Sequence, residues 1–192
     1  DHTYQTMKAC DIAPGNCLID EWVRKNSKNK YDIDGELASI GMTDNLVLNQ
    51  ALENFNIDQN YEESLDINDF DISFAKGLSL ENGVSTLTDF TATQIIKALG
   101  YFGGSSVDTI WLVCGGGRKN KYLMKLITNE IADVVKRIDL HPVEKYGIDG
   151  DFVESQAFAY LAIRSFLKLP ISFPTTTGCK EPSIGGVMVK NF

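Results

Sequence analysis

Long apolar runs are missing from this sequence. The longest, Ala157-Phe158-Ala159-Tyr160-Leu161-Ala162-Ile163, is far too short to cross a bilayer, and no secretion leader is visible. Basic residues are outnumbered: Lys plus Arg is 18, Asp plus Glu is 26, and the net charge is −8. Non-specific binding to nucleic acid or to an anionic membrane needs a basic face, so neither partner is expected. Histidine is scarce. His2 and His141 are the two in the chain, and neither sits in a ligand cluster, so a zinc site is not expected. The four cysteines, Cys10, Cys17, Cys114 and Cys179, form no C-x-x-C pair. Reduced thiols in an intracellular protein are the expectation. What is present is ordinary for a folded protein: 43% hydrophobic and 23% charged residues in a 192-residue chain. That is enough for one sizeable core, and it rules out disorder. The chain starts at Asp1 rather than Met, as a piece of a longer polypeptide does.

Strand and helix patterns alternate. Residues 7–11 read as the end of a strand, broken at Ala13-Pro14-Gly15, with Asn16 as the N-cap of a helix carrying Leu18, Ile19, Trp22 and Val23. Tyr31-Asp32-Ile33-Asp34-Gly35 is a turn. Its glycine comes too early for a calcium-binding EF-hand loop, and no glutamate closes it. Residues 44–55 and 83–99 have helical spacing. Residues 56–71 are acidic and irregular, which suits a long surface loop. Residues 109–114 form a near-continuous apolar run, expected of a strand buried on both faces. Gly115-Gly116-Gly117 follows, and Asn120 opens a helix with Leu123, Leu126, Ile127 and Ile131 on its stripe. Residues 134–138 and 184–189 suit short strands. Residues 151–167 form a helix that is apolar on most of its circumference and is therefore expected to be well buried. The fold class is α/β, with a mixed sheet flanked by helices.

Three segments carry possible chemistry, each with a plain alternative. Asp11-Ile12-Ala13-Pro14-Gly15-Asn16 is an acidic residue, a tight turn and a helix start. It can present backbone N–H groups to phosphate, with Asp11 holding Mg2+ through water, or it can be an ordinary capped turn. Gly115, Gly116 and Gly117 remove every side chain where a ligand meets the carboxyl edge of a sheet, or they make a loose connection. Glu154 leans toward Phe158 and Leu161 at the start of the apolar helix, yet Asp151-x-x-Glu154 also has the spacing of a capping box.

In this order, these motifs resemble the C-terminal half of the anhydro-N-acetylmuramic acid kinase family, within the actin, hexokinase and Hsp70-like superfamily. The family's D-T-G-P-G-N turn stands at residues 11–16, followed by Leu18-Ile19-Asp20. Its Y-D-x-D-G-x-x-A-x-x-G stretch fits residues 31–41, and V-C-G-G-G-x-x-N fits residues 113–120. The closing segments G-x-D-x-D, E-A-x-A-F-A-x-L-A and P-x-x-T-G stand at 147–151, 154–162 and 174–178. The resemblance covers essentially the whole chain.

The resemblance implies that residues 1–192 form the C-terminal, ribonuclease-H-like lobe of a two-lobed kinase, whose N-terminal lobe is not in this chain. The activity implied is ATP-dependent phosphorylation of 1,6-anhydro-N-acetylmuramic acid with hydrolytic opening of the anhydro ring. The product is N-acetylmuramic acid 6-phosphate, in peptidoglycan recycling in a bacterial cytoplasm. Asp11, Pro14, Gly15 and Asn16 are implied near the phosphates and Mg2+; Gly115, Gly116 and Gly117 against adenosine; Glu154 facing the sugar. The implied partners are the amino-sugar substrate, the N-terminal lobe, which is also expected to carry the general-base aspartate, and a second copy in a homodimer. The chain alone is expected to be inactive. Ile12 and Ala13 depart from the family's Thr and Gly, losing a hydroxyl and the closest backbone approach to phosphate. Two other readings stay open: the C-terminal lobe of another actin-like carbohydrate kinase, and a non-catalytic nucleotide-binding module.

Overall fold

A computed structural model describes residues 7–55, 61, 64–103, 109–134, 138–187 and 189. The architecture is α/β, with helices and a small parallel sheet. Its organising element is helix α4, Leu80–Gly103. Helices α1 (Cys17–Asn26), α2 (Glu36–Ile40), α3 (Asn45–Asn54) and α5 (Lys121–Val134) all pack against it. Leu18, Ile19, Trp22 and Val23 of α1 are buried, as their helical spacing requires, against Val84, Leu87 and Phe90 of α4 in one apolar cluster. A second cluster joins Ala92, Ile96 and Leu99 to Leu123, Ile127 and Ile131 of α5.

Several helix starts are fixed by side-chain caps. Asp44 accepts from the backbone N–H of Leu46 and Val47 at 3.0 and 3.1 Å, and so starts α3. Asn120 Oδ1 accepts from Leu123 N at 3.0 Å and starts α5. Buried Asp32 accepts from Leu37 N and Ala38 N at 2.8 and 3.0 Å, which secures α2. In the acidic segment, Asp66 and Asp71 cap short 3-10 turns at Ile67–Asp69 and Ile72–Ala75. Phe70 enters the core, while residues 64, 66–69 and 71 are exposed, so the described part of the segment is a surface loop, as expected, anchored at Phe70. Residues 56–60, 62 and 63 of that segment lie outside the described residues.

The stretch at residues 31–41 is a packing device. A Cβ on Gly35 would stand 2.3 Å from Asn120 Oδ1, at the start of α5. A Cβ on Gly41 would stand 2.1 Å from the Glu81 carbonyl oxygen, at the start of α4. Ala38 between them is fully buried. Small residues at these three positions let α2 sit between α4 and α5.

Several expectations need correction. Residues 7–11 form no strand among the described residues; they run as an extended segment bonded through Asp11 to Ser64 and Leu65. Among the described residues the sheet is a parallel pair rather than mixed: β1 (Thr109–Val113) pairs with β2 (Ile138–Pro142), Trp111 opposite Leu140. The second strand therefore begins where residues 134–138 had been expected to end; 135–137 lie outside the described residues. β1 is not buried on both faces. Trp111 packs toward α5, but Ile110 and Leu112 are 58% and 44% exposed, because helices cover one face alone. Helix α6 (Val153–Phe166) is not buried at all: Phe158 is 63% and Phe166 66% exposed. Its apolar circumference is real, but no described element covers it. At the end of the chain, a single antiparallel bridge between Ser172 and Ser183 replaces the expected strand, and residue 188 of that stretch lies outside the described residues.

The Gly41 contact is with backbone, which cannot move aside as a side chain would. Gly41→Ala is expected to cost about 1–3 kcal/mol, the range for overpacking a filled site. Chemical denaturation of the variant and the parent measures it.

Candidate functional site

The first candidate segment is the turn at residues 11–16. Pro14 is buried and its carbonyl accepts from Cys17 N at 3.1 Å. Gly15 has φ +57°, a left-handed value that favours glycine. Thr91 of α4 donates to the Gly15 carbonyl at 3.3 Å, so the turn is tied to the central helix. Asn16 stands at the N-cap position of α1, as expected, but makes no cap bond. Its φ and ψ are already helical, so its side chain is carried away from the first-turn N–H groups. Asn16 Oδ1 is buried with no hydrogen-bond partner, an acceptor left for something the described residues do not supply. Asp11 is exposed, and its carboxylate has no partner among the described residues, while its backbone is held by Ser64 and Leu65.

The second segment leaves the carboxyl end of β1. Gly115 has φ +74° and ψ −177°, a combination essentially confined to glycine. Residues Gly116–Lys119 then make a 3-10 turn leading to Asn120 and α5. A Cβ added to Gly115, Gly116 or Gly117 meets nothing within 4 Å. Protein crowding therefore does not explain the glycines; the open side of the loop is free to receive a ligand. This is the carboxyl edge of a parallel sheet, where α/β folds bind ligands.

Glu154 is in the first turn of α6 and is exposed, not folded onto Phe158 and Leu161. The capping box is not formed. Asp151 is instead occupied by Arg118 and Lys119, at 2.8 and 2.7 Å, and Phe152 takes the N-cap position. A paired carboxylate so placed is unavailable to the helix N–H groups. Glu154 makes no hydrogen bond or ion pair among the described residues. Hydrogen bonds from the Arg118 guanidinium to both carboxylates, joined at Asp151 by one from Lys119, hold Asp151 and Glu144 below the ordinary carboxylate range.

The P-x-x-T-G segment forms α7, Pro174–Thr177, closed by Gly178. Pro174 and Thr175 meet Lys8, Cys10, Tyr61 and Tyr101 around a cleft of ≈ 220 Å³. The structure thus brings the closing segment beside the chain that leads into Asp11. A second cleft of ≈ 320 Å³ lies between α2 and α5, lined by Asp34, Glu36, Ser39, Tyr122 and Lys125 among others. No hydrogen bond or ion pair among the described residues joins the 11–16 turn to the glycine loop or to Glu154. The turn and the loop are related through α1 and α5, both packed on α4.

Asp11 is a single carboxylate, and no group of three metal-ligating side chains exists among the described residues. That set fits Mg2+, which is commonly held by one or two carboxylates, waters and substrate phosphates. Arg118 is the residue that sequence reasoning missed. The signal available was an arginine directly after the glycines and an acidic pair at 149 and 151.

A family model described as anhydro-N-acetylmuramic acid kinase matches residues 3–191. Proteins named anhydro-N-acetylmuramic acid kinase are similar to the chain. That of Pelagibacter ubique is 50% identical over 191 residues, covering 98% of this chain and 50% of the relative. Those of Rhodospirillum rubrum and Rhizorhabdus wittichii are 39% and 41% identical, over 95% and 93% of this chain and 47% of each relative. The chain spans about half the length of these curated relatives.

Proposed function

Because the chain belongs to the anhydro-N-acetylmuramic acid kinase family, we propose that it is the C-terminal, ribonuclease-H-like lobe of an enzyme that phosphorylates 1,6-anhydro-N-acetylmuramic acid with ATP. The observation that carries this reading at the level of the site is the open glycine loop at the carboxyl end of β1. In this reading the loop receives the adenosine of ATP, and the turn at residues 11–16 faces the phosphates. Asn16 Oδ1, buried without a partner, is an acceptor free for a donor that arrives with the bound substrates. Asp11 would help hold Mg2+, which when bound would supply charge neutralisation on the phosphates. The reaction takes place in the bacterial cytoplasm, where ATP is at hand.

The chemistry consists of two linked displacements. Water attacks the anomeric carbon, the bond from C1 to O6 breaks, and the freed O6 takes the γ-phosphoryl group from ATP, leaving ADP. The water proton must pass to a base. Phosphoryl transfer is governed by positioning and by charge stabilisation, and positive character develops at the anomeric carbon as its bond to O6 breaks. Glu154 is the carboxylate proposed to face that carbon or the attacking water. The general base expected on the N-terminal lobe lies outside this chain; within the chain Asp11 offers a second reading of that role, since its carboxylate, without a partner among the described residues and on a backbone fixed by Ser64 and Leu65, can take the water proton.

The partner proposed for the uncovered face of β1 and for α6 is the N-terminal lobe of the same enzyme. A monomeric soluble protein rarely leaves large contiguous apolar patches open. A homodimer is the second partner reading, in which the other copy covers part of that surface.

Three substitutions in the full-length enzyme test the reading. Gly116→Val puts a branched side chain on the open edge of the loop. It is expected to raise KM for ATP about tenfold or more and KM for the sugar far less; equal effects on both substrates point to a damaged fold. Glu154→Gln keeps shape and helix, and Glu154 has no bond to lose, so the melting temperature is expected to stay unchanged. Turnover is expected to fall by about 10² or more, the usual worth of a positioned acid–base group. Wild-type kcat in that variant removes Glu154 from the chemistry. Asp11→Asn separates the two roles of that carboxylate. If it serves only Mg2+, excess Mg2+ restores kcat; if it accepts the water proton, kcat stays about 10² or more below the parent at every Mg2+ concentration.

A further inference from the structure

Arg118 ties the loop that follows β1 to the segment that follows β2 at the same edge of the sheet and to the start of α6. Its side chain is 10% exposed. Nε donates to Glu144 Oε1 at 2.7 Å, and Nη2 stands 2.7 Å from the same oxygen. Nη1 donates to Asp151 Oδ1 and to the Gly115 carbonyl, both at 2.8 Å. The ring closes through backbone. Gly115 N donates to the Gly150 carbonyl at 3.0 Å, and Gly150 N donates to Glu144 Oε1 at 3.3 Å. Gly150 has to be small here: a Cβ would stand 2.5 Å from Arg118 Nε. Lys119 adds a second cation on Asp151, at 2.7 Å.

Such a network is a poor source of stability. The two carboxylates are 44% and 45% exposed, so water screens their attraction to Arg118, and ordering an arginine costs rotamer freedom. Its geometry serves position instead. A guanidinium has five N–H donors, and here Nε, both hydrogens of Nη1 and one of Nη2 are directed at protein acceptors. Arg118 is therefore not free to clamp a phosphate. What it grips is the Gly115 carbonyl, in a loop whose glycines could otherwise take many shapes. The orientation of that peptide sets where the next N–H points. Through Asp151 the same guanidinium also grips the residue three positions before Glu154.

We propose that Arg118 is a positioning residue: it locks the backbone of Gly115–Gly117 in the shape that receives the nucleotide and holds the start of α6 in register with it. This rests on the ATP reading of the loop. The low acidity range of Glu144 and Asp151 fits the role. Both carboxyls are depressed below their unfolded values, so the network is intact at neutral pH and is lost only as pH falls through those depressed values.

The test uses the full-length enzyme with Arg118→Met, Arg118→Lys and Asp151→Asn, measuring the Kd for ATP by calorimetry, KM for each substrate, kcat and the melting temperature. Arg118→Met is expected to raise both the Kd and KM for ATP about tenfold, with KM for the sugar within about twofold. Arg118→Lys is expected to recover little, since one ammonium cannot span Gly115, Glu144 and Asp151 together. Asp151→Asn removes one strut without emptying the site, and is expected to shift the Kd in the same direction by less. It also serves if Arg118→Met does not fold. An unchanged Kd for ATP, an equal rise in both KM values, or full rescue by lysine overturns the proposal. If Gly116→Val impairs ATP binding while the Arg118 and Asp151 variants do not, the positioning role fails and the ATP reading stands. If the parent enzyme binds no ATP, both fail.

Discussion

Everything else in the molecule depends on the enclosure of α4. A helix packed on several sides cannot have large side chains everywhere, because its neighbours must approach closely. The sequence of α4 meets this with small, polar residues at depth: Ser85, Thr86, Thr88 and Thr91 are all fully buried. Buried hydroxyls are tolerable only with partners. Thr88 bonds the carbonyl four residues back, at 2.7 Å. Thr86 does the same to Asn82 and also accepts from Asp44 N at 3.0 Å, which joins the start of α3 to α4. Thr43 shares its hydroxyl with Ser85 and Asp89, and half-burial pushes the Asp89 carboxyl up. Thr91 reaches out of the helix to Gly15. The polar atoms that make α4 thin also decide where the loops around it stand.

This has a direct consequence for the candidate site. The turn at residues 11–16 opens α1, and the glycine loop opens α5. Both helices are seated on α4, so the spacing between the two loops is a property of helix packing rather than of any contact between them. Gly35 and Gly41 extend the same logic. Removing a Cβ at each lets α2 wedge between the starts of α4 and α5, where Lys121 pairs with Asp34 at 2.6 Å. A stretch that reads in sequence like part of a binding motif is, in its described contacts, the spacer that fixes the origin of α5 and with it the exit of the glycine loop.

Much of this was legible in the sequence wherever the determinant is local. Helical periodicity located the buried stripe of α1, and the helices expected over 44–55 and from Asn120 begin at those places, where Asp44 and Asn120 cap them within three residues. The run at 109–114 followed by three glycines gave the strand and the loop. What could not be read is tertiary. Asp151 and Glu154 have capping-box spacing, but spacing does not reveal that Arg118 and Lys119 compete for Asp151, and a charge-assisted pair outbids a cap. Asn16 occupies the cap position with its acceptor unused, because the helical geometry begins one residue early. The apolar pattern of α6 and of β1 led to an expectation of burial, but a pattern does not say whether the same chain provides the cover, and no described element does so here.

That last distinction bears on how the site works. Ile110 and Leu112 of β1, and Phe158, Tyr160, Ile163 and Phe166 of α6, are exposed side chains of a kind that folded proteins bury. Between these two elements in sequence lie the glycine loop and the Arg118 network, and Glu154 stands on α6 itself. In the proposed two-lobed enzyme, covering this surface and enclosing the substrates are then the same event. Apolar burial by the second lobe supplies the driving force, water is excluded around the sugar and the phosphates, and the unpartnered carboxylates of Asp11 and Glu154 acquire the low-dielectric surroundings in which a charge acts strongly. Arg118 gives such a closure something rigid to act on. In that reading the strut joins the start of α6 to the glycine loop through Gly115 and Asp151, so that a shift of α6 under its cover would also shift the loop proposed to receive the nucleotide.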